Sequence, residues 1–151
     1  LPLYAEATQS DAKKVGIKIN LKNVDYNVLD GIGVRGEYDL LISNILTEQA
    51  GDPEVFVNQY WKTNVDGSNP QNGSGYSNPE YDALSDQLAS EFDSAKRRDI
   101  IIKMEKIVQD DAATLIFGYP QTNMVSNKSV QNANIYPCDY YWVTKDITPA
   151  K

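Results

Sequence analysis

An α/β layered domain is the fold class this sequence predicts, and three observations predict it. Five segments carry helix signals, and two of them are adjacent and amphipathic. Four short runs of strand length lie among them, alternating or wholly apolar. Hydrophobic residues make up 41% and charged residues 23% of 151 positions, a globular balance in a chain long enough for one ordinary domain.

Leu3 to Val15 reads as a helix, because Ala5, Thr8, Ala12 and Val15 recur on one side at three- and four-residue steps. Gly16 ends it, as a left-handed residue commonly does. Ile17, Ile19 and Leu21, and Asn23 after them, alternate with Lys18, Asn20 and Lys22, the period of a strand with one dry face. Tyr26 to Val34 reads as a short helix weakened by Gly31 and Gly33. Tyr38 to Ile45 carries Leu40-Leu41-Ile42, a run without alternation that suits a strand covered on both faces. Asp52-Pro53-Glu54 is a helix start: Asp as cap, Pro in the first turn, Glu beside the positive end. That helix runs from Pro53 to Trp61. Residues 62–75 are rich in Asn, Gly and Ser and read as a long surface loop, of a kind that is often functional or mobile.

The most informative stretch runs from Gly75 to Asp111. Ser77-Asn78-Pro79-Glu80 fits a capping box with proline in the first turn, and Tyr76 reads as packing on the helix it opens. Tyr81, Leu84, Leu88 and Phe92 form one apolar stripe. Asp93 or Ser94 caps the next helix, whose stripe is Ile100, Ile101, Met104, Ile107 and Val108. Both stripes read as core. Leu115-Ile116-Phe117 reads as a short buried strand, Tyr119-Pro120 as a turn and Met124-Val125-Ser126 as a weak strand. Val130 to Thr148 holds Tyr136, Tyr140, Tyr141 and Trp142 without a clear period. No internal repeat and no second domain is visible.

Composition removes several function classes. The net charge is −7, from 14 basic and 21 acidic residues, so nucleic acid is a poor partner. The basic cluster Lys96-Arg97-Arg98 lies between acidic neighbours and reads as a solvated helix face. Histidine is absent, which excludes a Ser-His-Asp triad, a Cys-His pair and histidine-ligated zinc within this chain. Cys138 stands alone, so no internal disulfide can form, and it reads as an inert thiol. No run approaches the roughly 18 apolar residues of a membrane span. No positively charged leader with an apolar core is present, and Leu1-Pro2-Leu3 reads as the middle of a longer chain. No metal site, no cofactor and no catalysis are expected. Two other classes stay open. Ten tyrosines and two tryptophans would suit a carbohydrate-binding module, although the helical stripes argue against an all-β design. A carboxylate hydrolase would need two acids roughly 5–10 Å apart in a cleft, and no pair stands out from solvated helix faces.

Five segments, taken in order, resemble the solute-binding proteins that feed ABC importers for oligopeptides, dipeptides and nickel (extracellular solute-binding protein family 5). They are Val15-Gly16-Ile17-Lys18-Ile19; Tyr38-Asp39-Leu40; Gly51-Asp52-Pro53 before a helix ending in Tyr60-Trp61; Gly75 to Asp82; and Arg97-Arg98 followed by Ile107 to Ala113. The resemblance spans nearly the whole chain. It implies that residues 1–151 form a single lobe, the C-terminal one, of a type II periplasmic-binding-protein fold. That lobe would have a mixed central sheet covered by helices on both faces, with residues 136–151 as a tail crossing to the missing N-terminal lobe. It implies a monomeric receptor that closes on a small ligand and is sensed by an ABC permease. It also implies an extracytoplasmic setting, either in a periplasm or as a lipoprotein on the outer face of the plasma membrane.

The same resemblance implies where ligand is held. This lobe's contacts would come from the loop before the Asp-Pro turn, Thr47, Glu48, Gln49 and Ala50, and from Trp61 and Tyr140. In peptide-binding members an aspartate three residues before the Asp of that turn pairs with the peptide's amino terminus. Gln49 stands at that position here. Glutamine can hydrogen-bond an ammonium but cannot neutralise it. Glu48 substitutes if the loop shifts by one residue. The nickel-binding branch also lacks that aspartate, and its tail resembles Pro137, Tyr140, Tyr141 and Lys145 of this chain. There the metal arrives in a chelator whose own donors satisfy it, against aromatic walls for which Tyr60, Trp61 and Tyr140 are candidates. The reading leans to that branch. One lobe offers half the contacts, so weak or undetectable binding by this chain alone is expected.

Overall fold

The computed structural model describes residues 1–45, 51–119, 121, 123–136 and 143–150. The chain divides into two units, Leu1–Leu115 and Ile116–Lys151.

The first unit carries helices α1 (Pro2–Lys14), α2 (Tyr26–Arg35), α3 (Pro53–Trp61), α4 (Pro79–Ser90) and α5 (Ser94–Asp110). Their ends have local causes. After α1, Gly16 adopts φ +85°, its N–H donates to Lys13 O, and the Ile17 N–H donates to Ala12 O. The same two-bond ending closes α2, with Gly36 at φ +63° and bonds from Gly36 to Gly33 O and from Glu37 to Ile32 O. Four helices start on a side-chain cap that satisfies orphan backbone N–H groups: Asp25, Asp52, Asn78 and Asp93. The α4 cap differs from the expected capping box by one residue. Asn78 Oδ1 accepts from the Glu80 and Tyr81 N–H groups at 2.9 and 3.2 Å, while Ser77 Oγ lies 3.0 Å from Thr63 Oγ1.

α3, α4 and α5 enclose the core. Val57, Tyr81, Leu88, Ile100, Met104 and Val108 are buried there, with Phe56, Trp61, Tyr76, Leu84, Ile101 and Ile107 half-buried around them. Both expected stripes therefore face inward. Ser85 is also buried, and its hydroxyl donates to Asn58 Oδ1 at 2.8 Å. Phe92 departs from its stripe: it is 88% exposed. α4 stops at Ser90, and the Glu91 carboxylate accepts the Phe92 and Asp93 N–H groups at 2.9 and 2.8 Å. The chain turns away before the stripe can continue.

The expected central sheet does not form among the described residues. Segments 17–23, 38–45, 115–117 and 124–126 lie outside any strand. Leu115-Ile116-Phe117, expected to be buried, is exposed throughout, Leu115 by 72%. Neither α1 nor α2 buries a residue fully. The reason is that a strand's stability comes from cross-strand neighbours. Alternation in one segment marks a dry face without saying what covers it.

The second unit holds one short antiparallel pair, β1 (Val130–Gln131) with β2 (Thr148–Pro149), in which Val130 lies opposite Pro149. Ala150 N–H to Ser129 O (2.8 Å) and Asn132 Nδ2 to Asp146 O (3.0 Å) flank it. These segments are too short to show a period. The aromatic part of the tail, residues 137–142 with Cys138 among them, lies outside the described residues. No helix among the described residues is long and apolar enough to cross a membrane. The five helices are at odds with an all-β carbohydrate-binding module.

Candidate functional site

The expected ligand loop runs into the start of α3. Thr47, Glu48, Gln49 and Ala50 lie outside the described residues, as does Tyr140. The frame at the end of the loop is well defined. Gly51 adopts φ +70°, a conformation that suits glycine. Asp52 Oδ1 then accepts the Glu54 N–H at 2.9 Å, capping α3 as expected.

Asp52 has a second partner that the sequence did not suggest. Arg97, in the first turn of α5, donates through Nη2 to both Asp52 oxygens (3.0 and 2.9 Å) and to Glu54 Oε2 (2.8 Å). Its Nη1 donates to Leu88 O (2.9 Å) and Glu91 O (2.8 Å), at the end of α4. One guanidinium thus joins the start of α3, the end of α4 and the start of α5. The expectation of a solvated basic face is corrected for this residue: the Arg97 side chain is 17% exposed, against 71% for Lys96. The last carbonyls of a helix lack intrahelical donors, and arginine's planar fork can serve them and two carboxylates together. The signal was present in the sequence. Arg97 lies three and seven residues before Ile100 and Met104, on the inward stripe of α5, whereas Lys96 and Arg98 flank that stripe.

The electrostatics follow the geometry. The Glu54 N–H does most to hold the Asp52 carboxyl below its ordinary range; burial opposes it, and the hydrogen bond and charge of Arg97 add to the lowering. Asp52 and Glu54 are both bonded to Arg97. Among the described residues no group of three or more His, Cys, Asp or Glu side chains could hold a metal ion.

Trp61, an expected contact residue, ends α3 beside Tyr60, the other candidate aromatic among the described residues. Its ring meets Phe56 edge-on, with centroids 5.1 Å apart at 86°, and lies 6.2 Å from Tyr60. It packs against the core while remaining half-buried.

Residues 62–75 carry no helix or strand, and the centre of the segment is polar and hydrogen-bonded. Asn72 is 3% exposed; its Nδ2 donates to Lys62 O (2.9 Å) and Tyr76 O (2.8 Å), and its Oδ1 accepts from Ser74 Oγ (2.8 Å). Asn69 Nδ2 donates to Asn58 O and Lys62 O. The Thr63 N–H and hydroxyl donate to Asp82. Gly73 lies so close to α2 that a Cβ would stand 1.5 Å from Gly33 O. Between loop and α3 runs an open groove of about 470 Å³, lined by Val55, Asn58, Gln59, Lys62, Thr63, Ser68 and Asn69. The Lys62 ammonium at its side is engaged with Asp86 at 2.7 Å. Composition announces this loop but does not say which asparagine will be buried. At the far end of α5, the Tyr76 hydroxyl donates to Asp111 Oδ2 at 2.6 Å, and Asn78 Nδ2 donates to the same oxygen at 2.9 Å.

Three known proteins are similar to this chain. A probable D,D-dipeptide-binding periplasmic protein of Escherichia coli (strain K12) is 33% identical over 128 residues, which is 84% of this chain and 24% of that protein. A nickel-binding protein of Staphylococcus aureus (strain NCTC 8325 / PS 47) is 30% identical over 143 residues, 95% of this chain and 28% of that protein. A dipeptide-binding protein of Bacillus subtilis (strain 168) is 26% identical over 147 residues, 94% of this chain and 26% of that protein. The chain spans about a quarter of the length of these curated relatives. No family model matches it.

Proposed function

This chain belongs to the solute-binding proteins for dipeptides and nickel, and from that premise we propose that it forms the C-terminal lobe of a two-lobed receptor. The observation that carries the reading is coverage: nearly the whole chain aligns, and it aligns to about a quarter of each relative. Ligand would sit between the lobes and favour closure only through contacts that the closed state alone makes. Thr47, Glu48, Gln49 and Ala50 would supply polar contacts from this lobe, and Trp61 and Tyr140 aromatic ones. The Arg97 frame supports that assignment, since it fixes the backbone on which such a loop ends. The exposed apolar segments around Ile17, Leu40 and Leu115 support a mixed central sheet completed by the rest of the protein. The receptor would work outside the cytoplasm, in a periplasm or as a surface lipoprotein, as a monomer. It would hand its ligand to an ABC permease and do no chemistry on it.

Two ligand classes have specific support. A nickel chelate is favoured by Gln49 standing where peptide binders of the family carry an aspartate. A dipeptide is favoured by the D,D-dipeptide-binding relative. Titration calorimetry on the full two-lobed protein decides between them, using an L,L-dipeptide, a D,D-dipeptide and nickel(II) held by a small polycarboxylate. The full protein should bind one class, and the 151-residue chain alone should bind it far more weakly or not at all. Micromolar binding by the isolated chain, or no binding of any of these probes by the full protein, would overturn the reading.

A further inference from the structure

We propose that Asn72-Gly73 is a latent chemical modification site, a spontaneous deamidation site that the folded loop holds shut and whose product the fold rejects. It is the sole Asn-Gly pair in the sequence. The reaction needs no enzyme. The Gly73 backbone nitrogen attacks Asn72 Cγ, a new N–Cγ bond forms, and the Cγ–Nδ2 bond breaks. Ammonia leaves, taking up the proton lost from the Gly73 N–H. Water then opens the five-membered imide at either carbonyl, giving aspartate or isoaspartate. Glycine favours the attack because no side chain shields its nitrogen.

The folded loop opposes each requirement of that reaction. Asn72 is 3% exposed, so the water that must open the imide has little access. The side-chain amide is held on both sides, by Lys62 O and Tyr76 O through Nδ2 and by Ser74 Oγ through Oδ1. It cannot swing toward Gly73 without giving up three hydrogen bonds. Gly73 itself is pressed against α2 at Gly33 O, which limits the backbone rotation that would bring its nitrogen round.

The product does not fit the site that held the reactant. An aspartate at position 72 would place a carboxylate oxygen 2.8–2.9 Å from two carbonyl oxygens, with no proton to share with either. The Lys62 ammonium is engaged with Asp86. Isoaspartate would add a methylene to the backbone where Gly73 has no room for even a Cβ. The reaction therefore proceeds from opened molecules, and a molecule that has reacted does not close again.

The test uses the full 151-residue chain, incubated in mildly alkaline buffer with and without concentrated urea. Peptide mass mapping follows the mass gain of amide-to-acid conversion at residue 72. Conversion should be at least about tenfold faster in urea, because in buffer it is limited to the opened fraction. After dilution from urea, the protease-resistant fraction should be depleted of converted chains by a similar factor. Asn72→Gln, measured in urea, should abolish the signal, since its longer side chain does not form the five-membered ring. Equal rates with and without urea, or converted chains recovered undepleted in the resistant fraction, would overturn the proposal.

Discussion

Tyr81 joins α4 to α3 through a single hydroxyl, and removing that hydroxyl measures what the junction contributes. The side chain is fully buried, and its O–H donates to Val57 O at 2.6 Å. Tyr81→Phe deletes the bond but keeps the ring, including its edge-on contact with Tyr76 at 6.1 Å. A neutral intramolecular hydrogen bond contributes about 0.5–1.5 kcal/mol net. This one is short and dry, which places it at the upper end. The Val57 carbonyl also sits within the ladder of α3, so it is not orphaned and the loss should not exceed about 1.5 kcal/mol. Tyr81→Ala removes the ring as well and should cost about 3–5 kcal/mol. Urea unfolding followed by tryptophan fluorescence reads both, because Trp61 packs at the end of α3. The phenylalanine variant should lower the midpoint with an unchanged slope. A loss below about 0.3 kcal/mol would mean that the phenol does not stabilise the helix junction; a loss equal to that of the alanine variant would mean that the ring had moved.

Three further outcomes follow from the same geometry. Arg97→Lys keeps the charge but cannot span two carboxylates and two carbonyls, so amides at Glu54 and at the end of α4 should exchange with deuterium faster than those of the core; unchanged exchange there would refute the bridging role. Burial first, and then the bond to Asp111, push the Tyr76 phenol up from 10.0 to about 12. Its folded value lies above its unfolded one, so its contribution is complete below pH 10 and is lost as pH rises through about 12. Burial raises the Tyr81 phenol too, so an absorbance titration should show late phenolate absorbance that Tyr76→Phe reduces by one tyrosine, and an undiminished late amplitude in that variant would refute the assignment. Gly73→Ala should cost about 1–3 kcal/mol and loosen α2, because the added Cβ has no room beside Gly33 O; a variant as stable as the original chain would show that the loop and α2 separate freely.

Helix positions were legible in the sequence because their causes are local. The starts of α3 and α5 and the ends of α1 and α2 each depend on a few adjacent residues, such as Asp52 with Pro53 or Gly16 after Lys14. The buried faces were legible too, since Tyr81 with Leu88 and Ile100 with Met104 and Val108 are set by helical period alone. Strands were not, because the segments around Leu40 and Leu115 depend on neighbours that no local pattern names. Arg97 departs from the solvated cluster expected of it because its register on α5 turns it inward, which the acidic neighbours of the cluster do not reveal. Of the candidate site, the frame at Asp52 and the aromatic end of α3 were legible. The burial of Asn72 was not, because it arises from three carbonyl and hydroxyl partners scattered from Lys62 to Tyr76.

The guanidinium of Arg97 has a mechanical consequence. A tug on the backbone at Gly51 is not absorbed by α3 alone, since the helix start is laced to the end of one neighbour and the beginning of the other. Force applied there turns three rods together, as a wrench turns a whole bolt.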